Sequence, residues 1–267
     1  MIFYMEAMFE NAKSRFNNFI SDNYDLRDER IAGKLEHTYN VVKMAEYIAD
    51  DLKLNSEDRE LAKLIALLHD IGRFDQAKEF SSFREDINNL DHAAMGVKLL
   101  FENGFIREFS DDFRFDNIIK QAIANHSRYM LNEANLTERE LLHCKLIRDA
   151  DKTDSFRVKN VSDIFSMANI TQDELESSLI SDNVFNDFMS AKAILSKNRK
   201  TAADIWVSYI AFIFDFNFIS GLKYIMEKDY INILAGRFNF KNADTKEKME
   251  KIRRFALDYI EQRLQLL

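Results

Sequence analysis

The chain contains no proline and only six glycines among its 267 residues. Proline and glycine supply the backbone angles of the tight turns between short β-strands, so sheet-rich folds use both residues often. Long helices use neither residue in their interiors, where both are costly. The sequence therefore predicts an all-α protein with long helices.

The rest of the composition is typical of a globular protein. Hydrophobic residues make up 46% of the chain and charged residues 31%, which argues against disorder. The net charge of −8 disfavours a nucleic-acid polymer as the main partner and favours a compact substrate. The single cysteine, Cys144, excludes an intrachain disulfide and a cysteine-based zinc site.

Two stretches bear on the location of the protein. Residues 1–13 carry early glutamates and no basic region before an apolar core, so they do not resemble a secretory signal. Residues 205–219 form the most apolar stretch, but Asp215 and Asn217 interrupt it and a membrane span needs about 20 apolar residues. We therefore expect a buried helix there, no membrane span and a cytoplasmic protein.

Hydrophobic periodicity places the first histidines on apolar helical faces. A polar segment over residues 25–33 leads to a helix with one buried face, on which His37 precedes Val41, Met44, Ala45, Ile48 and Leu52. Asn55 or Ser56 caps the next helix, whose apolar stripe runs directly into His69 and Asp70. Gly72 fits the C-terminus of that helix.

Three more predicted helices carry the remaining candidates. Residues 75–90 are expected to form a loop or short helix, after which Asp91 caps a helix with His92 and Gly96 on its inner face. A helix over residues 116–126 places His126 in line with its apolar residues. Thr137 and Glu140 form a capping box at the head of a helix on which Cys144, Ile147 and Asp151 share a stripe.

Histidine and aspartate side chains thus come from five successive helices at about one group per helix. Any one of these histidines alone would be more typical of a satisfied core residue than of a ligand. Together they match a common arrangement, in which a helix bundle directs imidazoles and carboxylates inward to hold one or two first-row metals. The candidate ligands are His37, His69, Asp70, His92, His126 and Asp151.

The ordered pattern His…His-Asp…His…His…Asp resembles the HD superfamily of metal-dependent phosphohydrolases. HDIGRF surrounds the doublet and RDADKTD contains the last aspartate. The resemblance covers residues 30–160 and implies an all-helical HD-domain bundle with the metals at its centre. We expect an N-terminal helix over residues 1–24 that packs on the core, the HD domain over residues 25–160 and a helical extension over residues 161–267.

The resemblance also implies the ligand roles. The minimal single-metal set of the family corresponds to His37, His69, Asp70 and Asp151. The additional ligands of dinuclear members, carried here by DHAAMG and ANHSR, correspond to His92 and His126, with Asp70 bridging both ions. Two divalent ions drawn from iron, manganese, nickel, cobalt and zinc are therefore favoured over one. Asp149 and Asp154 are the alternatives to Asp151 or its supporting partners.

One branch of the superfamily is excluded. The cyclic-dinucleotide phosphodiesterase (HD-GYP) branch usually carries a His-His pair where this chain has Asn125 and His126. That branch also requires a Gly-Tyr-Pro signature, which a chain without proline cannot contain.

The ligand set implies phosphoester hydrolysis by a metal-activated water. Two cations about 3.5–4 Å apart can lower the pKa of a bridging water and bind a phosphoryl oxygen. Besides Asp70, the predicted catalytic residues are Arg73 and Lys152, which would contact the substrate phosphate. Arg128 is a further candidate for the same role, and Arg148 is expected to pair with Asp149 or solvent. A small phosphate ester is expected as substrate, with a nucleotide favoured.

Two other functions share the same pattern of ligands. A small branch of the superfamily consists of mixed-valent di-iron oxygenases, which cleave C–C or C–P bonds with dioxygen. A non-catalytic metal-binding or sensing module is the other alternative, although the complete ligand set argues against it. The aromatic run over residues 206–224 is interpreted as core or as the face of a homodimer.

Overall fold

The computed structural model describes residues 2–80, 91–161 and 170–266. It divides into two compact units, residues 1–151 and 152–267. The first unit contains α1 (Ile2–Asn23), α2 (Glu29–Asp51), α3 (Ser56–Leu68), α4 (Ile71–Phe80), α5 (His92–Val97), α6 (Ile106–Phe109), α7 (Asp116–Asn125) and the first part of α8 (Glu138–Val161). A π-helical segment, Lys98–Glu102, extends α5, and short 3-10 turns occupy Phe113–Phe115 and Glu133–Asn135.

Side-chain caps define where several of these helices begin. Asp28, Asn55 and Asp91 each accept a hydrogen bond from a backbone N–H in the first turn of the following helix. Asn55 is thus the cap of α3. The predicted polar segment over residues 25–33 is wrong at its end, because the cap at Asp28 starts α2 at Glu29.

The prediction for Gly72 is also wrong. α3 ends at Leu68, the chain continues through His69 and Asp70, and α4 begins at Ile71, so Gly72 lies in the first turn of a new helix. Its role is close packing rather than helix termination. A Cβ atom built at Gly72 would lie 2.3 Å from the carbonyl oxygen of His92 and 2.7 Å from the backbone nitrogen of Gly96. The two helix backbones can therefore approach only because residue 72 has no side chain.

The first unit packs its helices around a shared apolar core. α2 lies along α3, α4 packs on α5, and α7 contacts both α3 and α5. The buried face of α2 contains His37, Val41, Ala45 and Ile48, as the periodicity predicts. The buried stripe of α7, Ile119, Ala122 and Ile123, leads to the buried His126. The ends of these helices consequently carry the candidate ligands into one interior region.

The second unit is also helical. Its core surrounds the fully buried Trp206, whose indole N–H donates to the carbonyl of Leu234 at 3.1 Å. The predicted single helix over residues 205–219 is instead a helix, a 3-10 turn (Ala211–Asp215) and the start of another helix. Besides the end of α8, the helices are α9 (Gln172–Ser177), α10 (Asp182–Met189), α11 (Ala202–Ile210), α12 (Ile219–Glu227), α13 (Tyr230–Gly236) and α14 (Ala243–Gln265).

The all-α prediction is confirmed, since the described part of the chain contains helices, turns and loops but no β-strand. Among the described residues, no helix is both long enough and apolar enough to cross a membrane. The three-part division at residues 24 and 160 stays a prediction. The predicted loop over residues 75–90 is helical as far as Phe80, and residues 81–90 lie outside the described residues.

Candidate metal centre

The structure brings all six predicted ligand side chains together in the first unit. His37 comes from α2, His69 and Asp70 from the junction of α3 and α4, and His92 from the first residue of α5. His126 follows α7, and Asp151 lies in α8. Five of the six residues are buried, and Asp151 is partly exposed.

The carboxylate of Asp70 divides this cluster into two halves. Its Oδ2 atom lies 3.7 Å from Nε2 of His37 and 3.5 Å from Nε2 of His69. Its Oδ1 atom lies 3.2 Å from Nε2 of His92 and 3.5 Å from Nε2 of His126. Each half offers at least three donor atoms close enough together for one cation. A carboxylate whose two oxygens face different pairs of imidazoles has the arrangement required of a bridge between two ions.

Two of the imidazoles are oriented by the helix that each one ends. Nδ1 of His69 lies 2.7 Å from the carbonyl of Ala66, and Nδ1 of His126 lies 2.7 Å from the carbonyl of Ile123. These carbonyls belong to the last turns of α3 and α7, where backbone acceptors have no intrahelical partner. A proton on Nδ1 satisfies each carbonyl and leaves the lone pair on Nε2, the atom directed at Asp70.

His69 provides the test of whether these residues fit a metal. Its Nε2 atom is completely buried and makes no hydrogen bond, although the carboxylates of Asp70 and Asp151 lie 3.5 and 4.0 Å away. Burial lowers the pKa of His69 to about 4, despite the opposing effect of the two carboxylates, so the ring is neutral at neutral pH. A buried, neutral nitrogen without a hydrogen-bond partner beside two carboxylates is a chemically suitable cation ligand.

Asp151 completes the half of the cluster that contains His37. Its Oδ1 atom lies 3.1 Å from Nε2 of His37. Burial by itself would raise the pKa of Asp151, but the hydrogen bond from His37 outweighs it and holds the pKa well below its usual range. Of the alternative aspartates, Asp149 is fully buried, and Asp154 accepts two hydrogen bonds from Arg157. Which aspartate is a ligand stays a prediction, and these contacts favour Asp151.

Lys34 is a candidate functional residue that was not predicted from the sequence. Its ammonium group contacts Oδ2 of Asp70, and its side chain is only 18% exposed. Burial would raise the pKa of Asp70, but the positive charge of Lys34 and the neighbouring His69 hold it well below its usual range. Lys34 lies one turn before His37 on α2, so helical spacing was the available signal. A lysine at that spacing is equally typical of a solvated helix face.

The two predicted phosphate-binding cations have different surroundings. Nε of Arg73 lies 3.8 Å from Oδ1 of Asp70, and its Nη1 donates to Oε1 of the buried Gln76 at 2.7 Å. Nζ of Lys152 lies 2.8 Å from Oδ2 of Asp215 within the second unit. The catalytic roles of both residues stay predictions. Arg73 is the one that the described contacts place beside Asp70.

Other basic residues near the cluster have structural partners. Arg128 is half-exposed and forms an ion pair with Asp91 at 2.8 Å. Arg148 was expected to pair with Asp149 or solvent. It is buried and donates to backbone carbonyls of residues 125, 126 and 128, so the solvent alternative is wrong. His143 also has a structural partner, because it is buried and its Nε2 lies 3.0 Å from Oδ1 of Asp58.

Comparison with known proteins agrees with this geometry. Residues 35–155 match the family model described as HD domain, and this range contains all six predicted ligands. No match was found among the curated proteins or among the solved structures. This part of the chain, slightly less than half of its length, is therefore similar to HD domains, a superfamily of metal-dependent hydrolases.

Proposed function

We propose that this protein is a metal-dependent phosphohydrolase that cleaves a phosphate ester of a small molecule, with a nucleotide as the favoured substrate class. The observation that carries this proposal is the division of imidazoles between the two oxygens of Asp70. It supports two cation sites that share one carboxylate. His37, His69 and Asp151 would hold one ion, and His92 and His126 the other.

The bound ions would lower the pKa of a water molecule and neutralise charge on a phosphoryl oxygen. Asp70, ionised at neutral pH, would fix the spacing of the two sites. Lys34 and Arg73 supply positive charge beside this carboxylate. Both could turn from Asp70 to the substrate phosphate, since charge-assisted hydrogen bonds to phosphate are among the stronger polar contacts of proteins. Lys152 would first have to leave its ion pair with Asp215.

The turn after α7 supports a substrate with an organic group such as a nucleobase. Tyr129 and Met130 follow His126 closely and are 46% and 76% exposed. Exposed aromatic and thioether side chains offer apolar contact area to a flat ring. The acidic net charge of −8 supports a small substrate rather than a polymer. The cytoplasmic location and the homodimer stay predictions.

The test combines metal analysis with a screen of phosphate esters. The purified protein should contain one or two divalent ions, and it should release phosphate from a nucleotide or another small ester. Chelation should abolish the activity, and so should Asp70→Asn. Asp58→Asn is the matched control, because Asp58 is also a buried aspartate beside a histidine but lies outside the cluster.

The same experiment separates the alternatives. Phosphate release that survives both chelation and Asp70→Asn would contradict the proposal. Iron content with oxygen consumption on a phosphonate or polyol would indicate the oxygenase instead. Tightly bound metal without activity on a broad panel of esters would indicate the non-catalytic module.

A further inference from the structure

The C-terminus of α7 needs partners that the helix itself cannot provide. The last carbonyls of a helix lack intrahelical N–H donors. Here the chain turns immediately after Asn125, and the residue at the turn is His126. Its imidazole is already used in two directions, by the carbonyl of Ile123 and by the cluster around Asp70. Within the turn, the N–H of Arg128 donates to the carbonyl of Asn125 at 3.3 Å, so any further donor must come from a position outside the turn.

Arg148, from α8, occupies that position. Its Nη1 group lies 3.0 Å from the carbonyl of Asn125 and 3.4 Å from the carbonyl of His126. It also contacts the carbonyl of Arg128. A basic group at a helix C-terminus satisfies exposed carbonyls and interacts favourably with the helix dipole. One guanidinium thus contacts the carbonyls of three residues in the turn that carries His126.

Burial makes this arrangement specific. The side chain of Arg148 is among the largest fully buried side chains of the described residues. A buried guanidinium is costly unless its donors are satisfied, so the carbonyl contacts hold it in place as much as it holds them. Arg148 also lies one turn before Asp151 on α8. It therefore links the helix of one predicted ligand to the turn of another.

We propose that Arg148 is a positioning residue, which holds the backbone of His126 and thereby sets the affinity of the His92–His126 half of the cluster for its divalent ion. This inference rests on the proposed two-ion centre. Arg148 contributes no lone pair to a metal, so its effect must come through His126. Outer residues that orient a ligand typically change metal affinity about 10- to 100-fold.

The test measures binding of Mn²⁺ to the full chain by equilibrium dialysis, with electron paramagnetic resonance to distinguish a coupled ion pair from an isolated ion. Arg148→Met should lower the affinity for the second ion, the one held by His92 and His126, about 10- to 100-fold. The affinity for the first ion, held by His37, His69 and Asp151, should equal that of the unchanged protein. The affinity of Arg148→Lys for the second ion should lie between those of Arg148→Met and the unchanged protein, because an ammonium keeps the charge but cannot reach the same set of carbonyls. His126→Ala should reproduce the loss and identify the half that is affected.

Arg139→Met is the matched control for a general loss of stability. Arg139 lies on the same helix and binds Asp58 and Glu57, away from the cluster. Its substitution should lower the melting temperature without changing either Mn²⁺ affinity. Unchanged binding of both ions by Arg148→Met, or equal weakening of both, would overturn the inference. If Arg148→Met does not fold, a second-ion affinity of Arg148→Lys equal to that of the unchanged protein would overturn it.

Failure of the proposed function would look different. An unchanged protein that binds fewer than two Mn²⁺ ions would overturn the two-ion centre itself, and this inference with it. If the unchanged protein and Arg148→Met both bind two ions with equal affinities, only the role of Arg148 is overturned.

Discussion

The Nε2 atoms of His92 and His126 lie 2.8 Å apart, and both lie within hydrogen-bonding or near-bonding distance of the same oxygen of Asp70. Because Nδ1 of His126 faces the carbonyl of Ile123, a neutral His126 has only a lone pair on Nε2. Two nitrogens and one carboxylate oxygen then converge on a small volume. Without a cation, this contact requires Nε2 of His92 to donate; a divalent cation in place of that proton would be bound by all three atoms at once.

Substitution of either imidazole should therefore remove one ion and leave the other. We expect His92→Ala and His126→Ala each to lower the metal content of the protein from two ions to about one. His143→Ala is the control, because this buried histidine binds Asp58 outside the cluster. Elemental analysis after dialysis measures the content. Loss of both ions in each variant would show that the two halves do not load separately.

Lys34 offers a prediction that separates substrate binding from metal binding. Lys34→Met removes a positive charge beside Asp70 but no metal-ligand atom. We expect kcat/KM for a phosphate ester to fall about 10- to 100-fold, the equivalent of one charge-assisted hydrogen bond, while the metal content stays the same. Lys43→Met, at an exposed position of the same helix, should change neither quantity. Loss of metal from Lys34→Met would instead assign Lys34 a role in assembling the centre.

Gly72 and Gly33 form a matched pair of helical glycines. Gly72→Ala would place a Cβ atom 2.3 Å from the carbonyl oxygen of His92, whereas a Cβ at Gly33 meets nothing within 4 Å. We expect Gly72→Ala to lower the free energy of unfolding by about 1–3 kcal/mol through overpacking. Gly33→Ala should be neutral or stabilising by up to about 1 kcal/mol. Urea denaturation of both variants measures the difference, and equal stabilities would contradict the close approach of α4 and α5.

We expect Asp58 to contribute to the loss of folding stability at low pH. The hydrogen bond with His143, together with bonds from Arg139 and Asn55, holds the pKa of Asp58 well below its usual range. The unfolded chain has the higher pKa, about 3.9, so it binds the proton first. The stabilisation is present above that value and is lost as the pH falls below it.

Asp58→Asn should therefore flatten the acid limb of the stability curve. Unfolding free energies measured by urea titration between about pH 6 and pH 3 should fall less steeply for the variant than for the unchanged protein. Parallel curves would mean that Asp58 has the same pKa in the folded and unfolded states.

The candidate centre was largely predictable because its ligands follow helical periodicity. His37 continues the buried face of α2, and His69 and His126 end the apolar stripes of α3 and α7. Periodicity identifies which residues face the interior, whatever their later chemistry. The absence of proline likewise predicted the helical fold.

The remaining features depend on distances between helices, which periodicity does not contain. Gly72 is required by a contact with the backbone of His92, twenty residues further along the chain, so its sequence context resembled a helix end. Arg148 binds carbonyls of α7 and its following turn, and backbone acceptors leave no pattern in a sequence. Periodicity places Lys34 on α2, but only the packing of α2 beside the junction of α3 and α4 assigns it to Asp70.

The carbonyls that end α3 and α7 have a further consequence for the kinetics of metal uptake. They set the orientation of His69 and His126 through backbone geometry, which exists as soon as the helices have packed. Uptake of an ion would then be a bimolecular encounter with a ready receptor, without a slow step in which the chain orders itself. We expect the metal-free chain to be folded and its association rate to depend on ion concentration and access alone.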